Sequence, residues 1–341
     1  MAVKYYTYDG EFRLENGGMI KGLTIAYHTF GKRRSDRNQV VWVCHALTAN
    51  SDVADWWPCT VEKGKFLDPG KYFTVCANIV GSHYGTTGPL DLNPETGKPY
   101  YDTFPFITVR DMVRAHMLLA EALGITHVKA VIGSSIGGFQ AMEWAIMKPD
   151  FIDRLGLIAT AARSQPWTIA LNESQRMAIE VDPTYEQNDP DAGKNGMRVS
   201  RSIGLLSYRG VSAYNMTQQE NDNLYKLTGF RAATYQQYQG DKLGRRFNAY
   251  SYYRLTQAFD SHNVGRFRGG IEKALEKIKA KTRIIGITSD IILPVSEQIF
   301  LYRHIPDSEL FLINSDFGHD GFLVEHEKLN ELLKPFVDAK V

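Results

Sequence analysis

Ala130–Met147, AVIGSSIGGFQAMEWAIM, is the stretch around which the chain is organised. The apolar run Val128–Ile132 is short enough for one buried strand. The chain then turns through Gly133-Ser134-Ser135-Ile136-Gly137-Gly138, and a helix follows that ends before Pro149. Strand, sharp turn and helix, with G-x-S-x-G across the turn, match a nucleophile elbow, in which a strained turn lifts one serine hydroxyl clear of a sheet. Ser135 holds the nucleophile position. Gly133 and Gly137 flank it because a Cβ at either place would crowd the turn, and Gly138 lets the helix pack close to the strand. A Gly-rich turn in any α/β protein gives a similar pattern. A phosphate loop does not fit, since the spacing is not G-x-G-x-x-G and no Gly-Lys-Ser/Thr follows. Catalysis therefore has to be argued from partners elsewhere in the chain.

Outward from the elbow, strands alternate with helices. Phe12–Leu14 and Leu23–Tyr27 flank Asn16-Gly17-Gly18, a hairpin signal. Val40–Cys44 is a short apolar strand running into His45-Ala46-Leu47-Thr48. Tyr72–Ile79 is another apolar run, followed by the loop GSHYGTTGP at Gly81–Pro89. Val109–Leu123 reads as a helix with Met112, Ala115, Leu118, Leu119 and Leu123 on one side. Leu155–Ala159, Arg283–Thr288 and Leu310–Ile313 read as further strands, and Glu325–Val337 as a last helix. This alternation implies a mostly parallel central sheet with helices on both faces. Residues 164–268 break the pattern: they lack strand-type runs, and Glu173–Val181 and Tyr250–Phe259 read as helices. The expected organisation is a core of residues 1–163 and 269–341 carrying a helical lid insertion, 164–268.

Composition sets the bounds. The 341 residues are 43% hydrophobic and 23% charged, with a formal net charge of +1, which gives nucleic acid or an anionic membrane surface no electrostatic purchase. The three cysteines, Cys44, Cys59 and Cys76, have no disulfide or zinc spacing. The opening MAVKYYTYDGEF has no apolar signal core, and no run reaches a membrane span of about 18 residues. A cytoplasmic protein without a bound metal is expected.

A serine nucleophile needs a base, and the base needs an orienting acid. In α/β-hydrolase folds the chain order is Ser, then Asp or Glu, then His. Here Asp290 follows the strand Arg283–Thr288, and His319 follows Leu310–Ile313, both past C-terminal strand ends where open sheets place ligands. Asp290 also suits a helix cap for the segment after Pro294. Asp316 and Asp320 compete for the acid role, although they lie close to His319 in sequence. The oxyanion hole is expected from the N–H of Ile136, after the nucleophile, and of Leu47 in the loop after Val40–Cys44; the side chains of His45 and Leu47 read equally as core. This chemistry leaves hydrolase and transferase open, since water always competes as acceptor, and a non-catalytic binding protein on the same fold is a third reading.

Together these stretches resemble the homoserine O-acetyltransferases of the α/β-hydrolase superfamily. The match rests on CHALT (44–48), YGTTGP (84–89), NPETGKPY (93–100), FPFITVRDMV (104–113), GSSIGGFQAMEWA (133–145), ITSDIILP (287–294) and GHDGFL (318–323), in the family's order and spacing. The resemblance implies Ser135, Asp290 and His319 as the triad and Leu47 and Ile136 as oxyanion donors. It implies Arg201, within GMRVSRSIGLLSYR, as ligand for the substrate carboxylate, and Asp320 as partner of its ammonium. It implies an acyl group, acetyl on the family pattern, moved from acyl-CoA as co-substrate to the hydroxyl of homoserine through a serine acyl-enzyme, in methionine biosynthesis, by a homodimer built on the lid. Three departures from the family pattern are Ser134 in place of glycine, Ala49-Asn50 after CHALT, and Asn248 and Tyr250 where Asp and Asn are typical. They are expected in or near the acyl pocket and lid, leaving acetyl or succinyl as the acyl group and homoserine or serine as the acceptor.

Overall fold

The computed structural model describes residues 1–34, 39–221 and 225–340. Strands β1 (Lys4–Arg13) and β2 (Met19–Phe30) pair antiparallel about the Asn16-Gly17-Gly18 turn, where Gly17 takes φ 90°. Next come β3 (Val40–Cys44), the short helix α1 (Val53–Trp56) and β4 (Phe73–Ala77). The NPETGKPY stretch makes a small hairpin, β5 (Leu92–Asn93) and β6 (Lys98–Pro99), that sequence reading did not anticipate. Helix α2 (Val109–Ala122) starts on a capping box in which Thr108 and Asp111 satisfy each other's backbone N–H. The elbow follows as β7 (Val128–Ser134) and α3 (Ile136–Met147), then β8 (Ile152–Ile158).

Five α-helices come next among the described residues: α4 (Pro166–Glu180), α5 (Lys194–Tyr208), α6 (Val211–Gln218), α7 (Arg231–Gly244) and α8 (Ala249–Asp260). The segments before α4 and after α8 run side by side. There the Ser164 N–H donates to His262 O and the Val264 N–H to Ala162 O, both at 3.0 Å. After α9 (Ile271–Leu275) come β9 (Lys281–Ile287), α10 (Val295–His304), β10 (Ser308–Ile313), α11 (Gly321–Val324) and α12 (His326–Asp338).

The main sheet runs β1-β2-β4-β3-β7-β8-β9-β10, and every pair from β4 to β10 is parallel. Side chains alternate between two cores, as a pleated strand covered on both faces requires. In β3, Val40, Trp42 and Cys44 face the core that includes α2 and α3, while Val41 and Val43 face the one that includes α12. The sheet order reverses between β3 and β7. Their following loops diverge there and open the crevice in which such sheets hold ligands.

The motif stretch ITVRDMV has a structural job. Arg110 pairs with Glu15 at 2.7 Å and with Glu143 of α3 at 3.2 Å, and donates to Arg266 O at 2.7 Å. Arg268 adds a 2.7 Å ion pair to Glu143. This buried network ties the N-terminal hairpin, α2, α3 and the segment that follows α8.

Candidate active site

Ser135 sits at the turn between β7 and α3 with φ 56° and ψ −128°, a conformation that L-residues other than glycine rarely adopt. The glycines around it are required by close approach. A Cβ on Gly133 would lie 2.0 Å from Gly137 O, one on Gly137 would lie 2.1 Å from Cys44 O, and one on Gly138 would lie 2.4 Å from Thr160 Oγ1. The second of these contacts brings the start of α3 against the end of β3, so the 45–48 loop borders the elbow.

The Ser135 hydroxyl lies 2.8 Å from His319 Nε2, and His319 Nδ1 lies 2.6 Å from Asp290 Oδ2. The other Asp290 oxygen accepts the N–H groups of Ile292 (2.8 Å) and Leu293 (3.0 Å). The carboxylate is therefore held by its own loop and does not cap α10, whose N-cap is Pro294. His319 rides on a tight turn whose Gly318 has φ 63°, and Gly318 N–H donates to Ser289 Oγ at 2.9 Å. That bond locks the loop after β10 to the loop after β9. All three side chains are buried, between 4% and 6% exposed. Burial lowers the His319 pKa, but the Asp290 carboxylate, by charge and hydrogen bond, together with the charge of Asp320, outweighs it; the net shift is upward. Asp316 is exposed and makes no side-chain contact with His319 among the described residues.

The N–H groups of Leu47 and Ile136 find no acceptor among the described residues. Leu47, Ser135 and His319 line one cavity of about 630 Å³ that residues of α4 and α5 also line. Arg201 lines it too, with its guanidinium 5.4 Å from the Tyr208 ring centroid and no carboxylate partner among the described residues. Tyr208 in turn lies 6.2 Å, centroid to centroid, from the His319 ring. Asp320 also lines the cavity, but its carboxylate is already paired with Arg209 at 2.7 Å.

Sequence reasoning missed several lining residues. Thr168, Leu171, Asn172 and Gln175 face the cavity from α4 at helical spacing i, i+3, i+4 and i+7. The spacing was visible, but a mostly polar stripe resembles a solvated face. Lys242 and Arg246 line the exposed end, where Arg246 is anchored to Thr48 O at 2.7 Å. The departures noted above divide between the pocket and its surroundings. Only Ala49 and Asn50 line the cavity. Ser134 is fully buried in β7, Asn248 caps α8 by accepting Ser251 N–H, and Tyr250 packs between Tyr101 and Tyr185. These three are fold residues, outside the pocket. Among the described residues no three His, Cys, Asp or Glu side chains gather to hold a metal ion, and no helix is long and apolar enough to cross a membrane.

Comparison with known proteins bears on the fold and the family. Residues 39–326 match the alpha/beta hydrolase fold family. A homoserine O-acetyltransferase from Cyclobacterium marinum is 42% identical over 95% of this chain and 92% of the relative. Among solved structures, the homoserine O-acetyltransferase from Bacillus anthracis superposes with a TM-score of 0.92 at 22% identity, covering 100% of this chain and 98% of that one. Esterase E22 follows the same fold, with a TM-score of 0.88 at 22% identity over 99% of this chain and 100% of the esterase. On the relative's extensive identity over nearly the whole of both chains, this chain belongs to the homoserine O-acetyltransferase family, acyltransferases of the α/β-hydrolase fold.

Proposed function

We propose that the protein moves an acetyl group from acetyl-CoA to the hydroxyl of L-homoserine through an acyl-enzyme on Ser135, as a step of methionine biosynthesis. The observation that carries this reading is the hydrogen-bond chain Ser135–His319–Asp290 opening on a cavity that also holds the guanidinium of Arg201, which has no carboxylate partner among the described residues. Ser135 Oγ bonds to the thioester carbon and passes its proton to His319 Nε2. The oxyanion is held by the Leu47 and Ile136 N–H groups. The C–S bond breaks, and the thiolate leaves with the proton from His319 as coenzyme A. The homoserine hydroxyl then gives its proton to His319 and bonds to the acyl carbon. The ester bond to Ser135 breaks, and Oγ recovers the proton. Lys242 and Arg246 offer cations for the donor's phosphates at the exposed end. The insertion acts as a lid that keeps water from the acyl-enzyme. Its exposed apolar side chains, among them Trp167, Met177, Leu206 and Met216, suit a homodimer interface.

Arg201 carries the distinction from a hydrolase. Homoserine is a zwitterion, and a planar guanidinium holds its carboxylate bidentately and so aims the hydroxyl. Asp320 takes the ammonium, sharing its carboxylate with Arg209. Arg201→Leu is expected to leave acylation of Ser135 nearly intact and to slow transfer by about 10²-fold or more, with Arg201→Lys recovering little. Single-turnover kinetics separates the two halves, free thiol reporting acylation and O-acyl product reporting transfer. Thiol release independent of homoserine would instead make the protein a hydrolase. If both halves fall together, Arg201 supports the fold and not the acceptor.

A further inference from the structure

His45 opens the loop after β3 yet does not line the cavity; it is fully buried beneath it. Its Nδ1 lies 2.8 Å from Ala46 O, and its Nε2 lies 3.2 Å from the Ile79 nitrogen. A carbonyl oxygen only accepts and a backbone N–H only donates, so both bonds together fix one tautomer. Nδ1–H donates to Ala46 O, and Nε2 accepts from Ile79 N–H. Burial outweighs the bond to Ala46 and pushes the ring's pKa down to about 4, which keeps it neutral.

In a trans peptide the C=O and the following N–H point in opposite directions. Tying Ala46 C=O down to the buried imidazole therefore turns the Leu47 N–H the other way, toward the cavity that Leu47 lines. A second contact holds the same loop against the other oxyanion donor. Gln140 Nε2 donates to both His45 O and Ile136 O at 3.3 Å, so the loop is fixed relative to the first turn of α3. We propose that His45 is a positioning residue, whose Nδ1–H bond to Ala46 O aims the Leu47 N–H at the developing oxyanion. This rests on the reading of Leu47 N–H as an oxyanion donor.

Two substitutions separate the ring's two bonds. The amide of His45→Asn falls where Nδ1 stood and can still donate to Ala46 O. The amide of His45→Gln reaches the place of Nε2 and keeps the contact with Ile79 instead. His45→Gln is expected to slow acylation by acetyl-CoA about 10²–10³-fold with little change in KM, the cost of losing one oxyanion donor, while His45→Asn returns to within about tenfold of the parent. A residue that only fills the core gives equal losses or the opposite order, and either result overturns the assignment. Leucine-selective ¹⁵N labelling supplies a readout independent of rate. In the tetrahedral adduct with a trifluoromethyl ketone analogue of the donor, the Leu47 amide proton should shift downfield in the parent and in His45→Asn, but not in His45→Gln. No shift in the parent refutes Leu47 as a donor. A shift in the parent that persists in His45→Gln refutes the role of His45 alone. Should His45→Gln fail to fold, loss of the shift in folded His45→Asn overturns the proposal.

Discussion

Ser135→Ala is expected to lower coenzyme A release from acetyl-CoA by about 10⁶-fold, while Ser134→Ala retains most of it. The two serines are adjacent and both buried, but their hydroxyls differ in kind. Ser135 Oγ lines the cavity 2.8 Å from His319 Nε2. Ser134 Oγ is enclosed in β7 without a hydrogen-bond partner among the described residues. Removing a buried, unsatisfied hydroxyl relieves its desolvation cost, so Ser134→Ala should keep or raise the melting temperature. Ser135→Ala keeps the Cβ and hence the same φ 56° strain; it removes the hydroxyl without altering the turn. Intact-mass measurement after acetyl-CoA alone should show an acetyl adduct on the parent and none on Ser135→Ala. An adduct surviving that substitution would move the nucleophile elsewhere.

The parts of this site that were legible in the sequence are those dictated by local backbone chemistry. Gly133, Gly137 and Gly138 signal an elbow because each stands where a Cβ would meet another residue's atoms at 2.4 Å or less. Asp290 and His319 were found because both follow strand-like runs, and a parallel sheet brings all C-terminal strand ends to one edge. What stayed hidden depends on contacts between distant segments. The Arg209–Asp320 pair joins residues 111 apart, and nothing in the sequence distinguishes Arg209 from other arginines of the insertion. The polar stripe on α4 reads as solvated until the sheet beneath it is known. For Asn248 and Tyr250 the family resemblance offered only a region, the acyl pocket or the segment 164–268, and they fall in that segment. Their roles there, Asn248 capping α8 and Tyr250 packed between Tyr101 and Tyr185, depend on tertiary contacts that the sequence does not display.

Asp290→Asn is expected to lower turnover by about 10⁴-fold in a folded protein, with Asp316→Asn costing far less. The direction follows from the hydrogen bonds. Asp290 Oδ1 is held by the N–H groups of Ile292 and Leu293. An asparagine therefore keeps its carbonyl oxygen there and presents its NH₂ to His319. Nδ1 must then accept, which puts the ring proton on Nε2, the atom that has to take the proton from Ser135. The base is lost by tautomer while the geometry persists. A second signature lies in pH. An imidazole can act as base only when neutral, and the His319 pKa is raised above 6.5 because Asp290 and Asp320 outweigh burial. Parent activity should therefore fall as pH drops through that raised value. Removing the Asp290 charge lets burial prevail, so the residual activity of Asp290→Asn should persist to lower pH. Asp316 is exposed and outside the bonded chain, so Asp316→Asn should leave the acidic limb where it is. If Asp316→Asn instead costs more than Asp290→Asn, or shifts the limb alone, the orienting acid is Asp316, and the loop after β9 takes a different course in the working enzyme.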